Sequence, residues 1–178
     1  MQSLENIATT LIAGDKGLLA IDESNPTCNK RFSKLGVPQT EEARCAYREM
    51  LLSTPDLAES ISGVVLYDET FRQQKTDDTP FLKVIVDAGI IPGIKVDTGA
   101  NAMAGRGGEE ITEGLDGLRA RLAEYAELGA HFAKWRAVIA MAITSRAGVA
   151  SRPTLTLWRT TRGRVRKPDS SPSWSRKC

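Results

Sequence analysis

Cysteine, histidine and long apolar runs are scarce in this 178-residue chain, and their scarcity excludes several classes of protein. Three cysteines without a CxxC pair and one histidine, His131, supply neither a disulfide framework nor a set of metal ligands. We therefore expect no metal, no cofactor, and the reduced thiols of a cytoplasmic protein. The opening MQSLENIATTLIAG lacks a basic stretch before an apolar one, and no run long enough to span a bilayer follows, so neither signal peptide nor membrane span is predicted.

The charge is unevenly distributed, although the formal net charge is only +2. Residues 142–178 hold seven Arg and two Lys against one acid, Asp169, a formal charge of +8, whereas residues 1–141 hold 15 bases and 21 acids, a charge of −6. The length and apolar content suit one domain of ordinary size. We predict an acidic, well-patterned domain over 1–141 and an irregular, disordered basic tail over 142–178.

Three segments of the body carry apolar residues at helical spacing. They predict helices at 4–11, from Thr40 to near Pro55, and from Gly114 to Leu128, with Thr40 as an N-cap before two glutamates. The faces expected to be buried carry Leu4, Ile7, Ala8 and Leu11 in the first helix, Ala43, Tyr47, Met50 and Leu51 in the second, and Leu115, Leu118, Leu122 and Tyr125 in the third.

Four short runs, 18–21, 63–67, 90–96 and 132–140, are apolar nearly throughout. Such runs are typical of strands covered on both faces, and the connections are long enough to return each strand parallel to the last. The predicted fold class is therefore α/β, a partial (β/α)8 barrel of about four βα units. A complete barrel needs about 250 residues, so we expect unpaired strand edges at 18–21 and 132–140, poor solubility and self-association.

Charged residues follow each predicted strand. They are Asp22, then Asp68 and Glu69, then Lys95 and Asp97, then Lys134 and Arg136. Residues two apart on a strand point the same way, so Lys95 with Asp97, and Lys134 with Arg136, share a face. At the mouth of a barrel these groups suit an anionic sugar phosphate, and a buried lysine could act as a proton carrier or amine nucleophile. Solvated strand ends or structural ion pairs fit the same pattern, which leaves both interpretations open.

Other candidate residues carry weaker signals. The segment GRGGEE at 105–110 lacks the Lys-Ser/Thr of a phosphate-binding loop and is interpreted as a turn. His131 has no paired base and is interpreted as structural. Cys28 and Cys45 are expected to be buried or half-buried.

Five motifs together resemble class I fructose-bisphosphate aldolase, the Schiff-base, metal-independent enzyme built on an (α/β)8 barrel. In chain order they are GLLAIDES-NPTCNKRF, GVVLYDETF, IIPGIKVDTG, GLDGL and HFAKWRAVI, and the resemblance covers residues 4 to about 140. It implies reversible cleavage of fructose 1,6-bisphosphate to dihydroxyacetone phosphate and glyceraldehyde 3-phosphate, in glycolysis and gluconeogenesis. It also implies a homo-oligomer for the intact enzyme.

The same resemblance implies roles for individual residues. Asp22 is similar to the family's active-site aspartate, which orients the substrate hydroxyl near the bond broken, and Lys134 to the lysine beside the reacting carbons. The remaining matches are to phosphate-binding positions. They are Lys95, Arg136 and, in the phosphate-side loop, Ser24, Thr27 and Arg31.

Three functional segments of the family are not recognised in these residues. They are the Schiff-base lysine of a later strand, the paired glutamates of a VPIVEPE-like segment, and the C-terminal tyrosine. Without that amine the carbon-carbon bond has no route to break by the family's mechanism, so we expect this chain to be inactive.

The sequence of the basic tail suggests a reason why those segments are missing. Residues 150–159 and 169–178 can be back-translated with permitted codons and then read in one and the same shifted frame. The two stretches then read VEANAHALA and LVPIVEPEV, and both resemble later segments of the family. We therefore expect a frame change near residues 140–150. The alternative is a non-enzymatic binding module whose tail, with Trp158 and Trp174, binds nucleic acid by neutralising phosphates.

Overall fold

A computed structural model describes residues 3–138, which form seven helices and six strands. The helices are α1 Leu4–Leu11, α2 Asn25–Lys34, α3 Glu41–Leu52, α4 Leu57–Ser60, α5 Asp68–Phe71, α6 Phe81–Asp87 and α7 Leu118–Leu128, and the strands are β1 Gly17–Ile21, β2 Ile61–Leu66, β3 Ile91–Lys95, β4 Gly99–Ala102, β5 Glu110–Glu113 and β6 Phe132–Lys134. The predicted tail, 142–178, lies outside the described residues. Within 3–138, every helix is too short or too polar to cross a bilayer.

Four parallel strands form the main sheet, in the order β1-β2-β3-β6. Ile21 pairs with Leu66, Leu66 with Ile94, and Lys95 with Lys134, so the carboxyl ends of all four strands lie at one edge of the sheet. The predicted parallel α/β architecture is confirmed. Among the described residues, β1 and β6 are the outer strands, as predicted for an open sheet.

The hydrophobic core lies between this sheet and the helices. Val64 and Leu66 of β2 and Ile94 of β3 are almost fully buried, and they belong to one cluster with Phe81 and Ile85 of α6. Burial on both faces explains why these strands are apolar in consecutive positions.

Helix α3 begins where predicted but buries a different face. The Thr40 hydroxyl accepts a hydrogen bond from the Ala43 amide at 3.3 Å, which confirms the N-cap. The predicted apolar face was wrong: α3 buries Arg44, Arg48 and Leu52, while Met50 is 62% exposed. The two arginines are buried because each meets a glutamate from another element.

The last predicted helix and strand are shorter than expected. Helix α7 begins at Leu118 rather than at Gly114, because Gly114 and Gly117 have φ angles of 121° and 64°, in the region that favours glycine. Leu115 is consequently exposed. Strand β6 ends at Lys134, and residues 139 and 140 of the predicted run lie outside the described residues.

Six elements were not predicted: the helices α2, α4, α5 and α6 and the strands β4 and β5. Strands β4 and β5 form an antiparallel hairpin, and the segment 105–110 provides its turn, as interpreted from the sequence. The phosphate-side loop expected to hold Ser24, Thr27 and Arg31 is largely a helix, α2, with Ser24 at its N-cap. Cys28 is buried and Cys45 half-buried, as expected.

Candidate functional site

The carboxyl ends of the parallel strands open into a cavity of about 520 Å³. Six of the seven predicted site residues line it, and Arg31 does not. The lining residues are Asp22, Glu23, Ser24, Thr27, Tyr67, Asp68, Lys95, Asp97, Thr98, Gly99, Arg121, Tyr125, Lys134 and Arg136. Four of these six, Asp22, Lys95, Lys134 and Arg136, were predicted from the strand ends, and Ser24 and Thr27 from the family resemblance alone.

An ion pair between Lys134 and Asp22 joins opposite edges of the sheet. The Lys134 ammonium donates a hydrogen bond to Asp22 Oδ2 at 2.6 Å, and the Asp22 side chain is only 9% exposed. Strands β1 and β6 are three strand spacings apart, about 14 Å in a flat sheet. The sheet must therefore curve strongly for these side chains to meet across its concave face.

Lys95 is held on the same face by Asp97, as the period of two predicts. Its ammonium donates to the Asp97 carbonyl oxygen at 2.6 Å and lies 2.9 Å from Asp97 Oδ1. The ammonium directs its hydrogen bond at the carbonyl oxygen. Among the described residues, the buried Asp97 carboxylate therefore has no hydrogen-bond donor and is neutralised only by the nearby positive charge of Lys95. The Tyr67 ring lies 5.9 Å from the same nitrogen.

The N-terminus of α2 adds two hydroxyl groups and uncapped backbone amides to the cavity. Ser24 is its N-cap, and its hydroxyl lies 3.0 Å from the Thr27 hydroxyl rather than capping a backbone amide. Uncapped amides at a helix N-terminus, with two hydroxyls beside them, are suited to bind an anion. This arrangement explains why both residues belong to the cavity.

Arg136 and Arg31 occupy different surroundings. Arg136 lines the cavity and makes no ion pair with another described residue. Arg31 is 59% exposed and forms an ion pair with the Glu23 carboxylate, which itself lines the cavity. Arg136 was predicted from the strand ends as well as from the family resemblance, whereas Arg31 was predicted from the resemblance alone.

Sequence reasoning assigned no site role to Arg121 or Tyr125, which reach the cavity from α7. The Tyr125 hydroxyl donates to Asp68 Oδ1 at 2.9 Å, and Arg121 donates to the Val96 carbonyl at 3.1 Å. Burial, followed by the hydrogen bond with Asp68, raises the pKa of Tyr125, which keeps the phenol protonated. Tyr125 lay on the predicted apolar stripe, and that position alone could not distinguish core from cavity.

The charges of the lining residues balance. Four carboxylates, those of Asp22, Glu23, Asp68 and Asp97, face four bases, Lys95, Arg121, Lys134 and Arg136. Most of these charges are tied to partners or to backbone carbonyls. Among the described residues, Arg136 makes no ion pair and Ser24 caps no backbone amide of α2, so both are available to attract an anion.

Comparison with known proteins identifies the family of this chain. The sequence model of the family Fructose-bisphosphate aldolase class-I matches residues 3–155. The chain belongs to the class-I fructose-bisphosphate aldolase family. The resemblance found from five motifs is therefore confirmed over most of the chain.

Individual aldolases show how much of the family this chain represents. It is 59% identical over 139 residues to a probable class 1 fructose-bisphosphate aldolase of Xanthomonas campestris pv. campestris, covering 78% of this chain and 42% of the relative. It is 47% identical over 138 residues to the chloroplastic fructose-bisphosphate aldolase 3 of Arabidopsis thaliana, covering 78% and 35%. The chain thus spans less than half the length of these aldolases.

A solved aldolase structure shares the fold of the described residues. It is fructose-bisphosphate aldolase from Plasmodium falciparum, in a crystal with TRAP and a small-molecule inhibitor. The TM-score is 0.72 at 42% identity, over 74% of this chain and 38% of that one.

Proposed function

We propose that residues 3–138 form part of a class-I aldolase site, which contacts both the reacting carbons and the phosphates of a sugar phosphate such as fructose 1,6-bisphosphate. The observation that carries the proposal is the 2.6 Å contact between Lys134 and Asp22 across the concave face. Two residues 112 positions apart are brought together at the strand ends of an aldolase fold. The Lys134 side chain is 38% exposed, and an ion pair with an exposed partner adds little to the free energy of unfolding. The contact is therefore better explained by a role in substrate binding than by a role in stability.

Each cavity residue has a role in this proposal. Asp22 orients the substrate hydroxyl beside the bond that breaks, and Lys134 supplies charge and a hydrogen bond at the reacting carbons. Lys95 and Arg136 contact phosphate oxygens, which suit ammonium and guanidinium donors. Ser24 and Thr27 donate to a phosphate at the N-terminus of α2.

The fold proposed for the chain is the first part of a (β/α)8 barrel. Four parallel strands in sequential order and the strong curvature between β1 and β6 both support it. In such barrels the active site lies at the carboxyl ends of the strands, which is where the cavity is found.

Replacing Lys134 tests the binding role. We expect Lys134→Met to bind fructose 1,6-bisphosphate about tenfold or more weakly than the wild-type chain, because a hydrogen bond to a charged group contributes about 1.5–3 kcal/mol. Isothermal titration calorimetry of the full chain measures the change. Lys83→Met is the matched control, since Lys83 is 62% exposed and pairs only with Asp87 among the described residues. Equal affinities for both variants would contradict the assignment of Lys134.

We also propose that this chain binds substrate without cleaving it. Cleavage by the family's mechanism needs a lysine amine to form a Schiff base with the substrate carbonyl, and none of the five motifs in this chain carries that lysine. The predicted frame change over the basic tail concerns residues outside those described, and sequencing the coding DNA decides it.

Borohydride trapping tests the absence of turnover. We expect no reduced adduct when this chain is incubated with dihydroxyacetone phosphate and sodium borohydride, as measured by intact-mass spectrometry. A full-length class-I aldolase treated in parallel provides the positive control. A stable adduct on this chain would show that one of its own lysines acts as the nucleophile.

A further inference from the structure

Helix α3 turns a buried arginine toward the segment that follows β1. Arg48 is only 2% exposed, and one guanidinium nitrogen donates to the Glu23 carboxylate at 2.6 Å. Another donates to the Glu23 carbonyl oxygen at 3.1 Å and to Cys28 Sγ at 3.3 Å. A single side chain therefore fixes both the side chain and the backbone of Glu23, together with the first turns of α2.

Arg48 differs from an ordinary core residue in that its contacts are made to a segment that lines the cavity. Glu23 stands between Asp22 and Ser24 in the chain, and both neighbours line the cavity. Arg48 does not line it. Burying an arginine is costly, and an apolar side chain of similar volume would often stabilise a core equally well. The contacts instead constrain the backbone of a segment that carries three consecutive cavity residues, Asp22, Glu23 and Ser24.

A second buried arginine holds the same segment from the other side. Arg44 donates two hydrogen bonds of 2.7 Å to the two carboxylate oxygens of Glu69, the second residue of α5. Glu69 also accepts from the Asn25 side chain at 2.7 Å, and Arg44 donates to Asn29 at 3.0 Å. The first turn of α2 is thereby fixed to the exit of β2 as well as to α3.

We propose that Arg48 is a positioning residue, which acts through Glu23 to hold Asp22 and the first turn of α2 in the geometry that binds phosphate. Arg44 supports the same segment through Glu69 and Asn25. This role rests on the proposed phosphate site, because it assigns to Arg48 the geometry of that site. The planar guanidinium suits the task, since it reaches a carboxylate and a carbonyl at once, which an ammonium does with less directional control.

Phosphate binding by variants of the full chain tests this proposal. The probe is inorganic phosphate, and binding is followed through the amide signals of Asp22 and Thr27 in NMR titrations. We expect phosphate affinity to fall about tenfold in Arg48→Met, the size of coupling common between contacting residues. Arg48→Lys keeps the charge and should recover part of that loss. If Arg48→Met does not fold, Arg48→Lys and Glu23→Gln are compared with the wild type instead, and both should bind more weakly.

Leu52→Ala is the matched control for a purely structural effect. Leu52 is buried on the same face of α3 and is not a cavity residue. We expect this variant to lose stability but to keep the wild-type phosphate affinity. Equal loss of affinity in Leu52→Ala and the Arg48 variants, or wild-type affinity in the Arg48 variants, would overturn the positioning role.

Amide hydrogen exchange keeps this inference separate from the proposed function. We expect Arg48→Met to speed exchange at the Cys28 amide, which donates to the Ser24 carbonyl at 3.0 Å, whereas Leu52→Ala should leave that amide no more affected than the strand core. Failure of the wild-type chain to bind phosphate would count against the proposed site alone. Failure of Arg48→Met to speed exchange locally would count against the positioning role alone.

Discussion

Replacing Phe81 by alanine is expected to lower the free energy of unfolding by about 3–5 kcal/mol, the usual cost of emptying a buried aromatic site. Phe81 opens α6 and is fully buried in the cluster that joins α6 to β2 and β3. Small domains are stable by only about 5–15 kcal/mol, so this loss is a large part of the total. Urea denaturation followed by far-ultraviolet circular dichroism measures it.

Val86→Ala is the control for that measurement. Val86 lies on the same short helix but is 54% exposed, so we expect a change within about 0.5 kcal/mol. If both substitutions shift the transition equally, the cluster around Phe81 is not the core of the domain.

Removing Glu69 is expected to lower the free energy of unfolding by about 3 kcal/mol or more, because its partner Arg44 would be left buried without a counter-charge. The side chains of Arg44 and Glu69 are 10% and 17% exposed, and two hydrogen bonds join them. Urea denaturation of Glu69→Leu measures the loss.

The double variant distinguishes an unpaired charge from lost packing. Replacing the pair together, as Arg44→Met with Glu69→Leu, should restore much of the stability, because a hydrophobic pair carries no desolvation cost. For comparison, Asp87→Asn breaks an ion pair in which both side chains are more than 60% exposed, and should cost less than about 1 kcal/mol. A double variant as unstable as Glu69→Leu would mean that shape, rather than charge, holds this interface.

Local signals in the sequence predicted the strands and the strand-end charges. Each predicted strand is a short apolar run, which indicates a strand from its own residues; its burial depends on its place in the sheet, since Leu18 of the outer strand β1 is 52% exposed. The predicted grouping of Asp22, Lys95 and Lys134 followed from the rule that parallel strands end at one edge, and all three line the cavity. The motif resemblance to aldolases added the family, which periodicity alone does not give.

The errors came from contacts between elements distant in sequence. Arg44 and Arg48 were not on the predicted apolar face of α3, and the glutamates that neutralise them lie 25 residues away, in opposite directions along the chain. Tyr125 was assigned to the core, and only its hydrogen bond with Asp68, 57 residues distant, shows that it also lines the cavity. The start of α7 was misplaced because Gly114 packs against the backbone of residues 96–98 with a φ angle of 121°, a contact that the helical spacing of the apolar residues does not reveal.

By itself, the sequence determined where the parallel strands run, which charges follow them and which family the motifs resemble, because each of these is encoded within a few neighbouring residues. Only the tertiary structure decided that Lys134 reaches Asp22, that Arg31 lies outside the cavity and that two arginines are buried. These outcomes depend on the curvature of the sheet and on whether a partner of opposite charge lies within reach. Neither the curvature nor the position of such a partner can be predicted from a single segment of the chain.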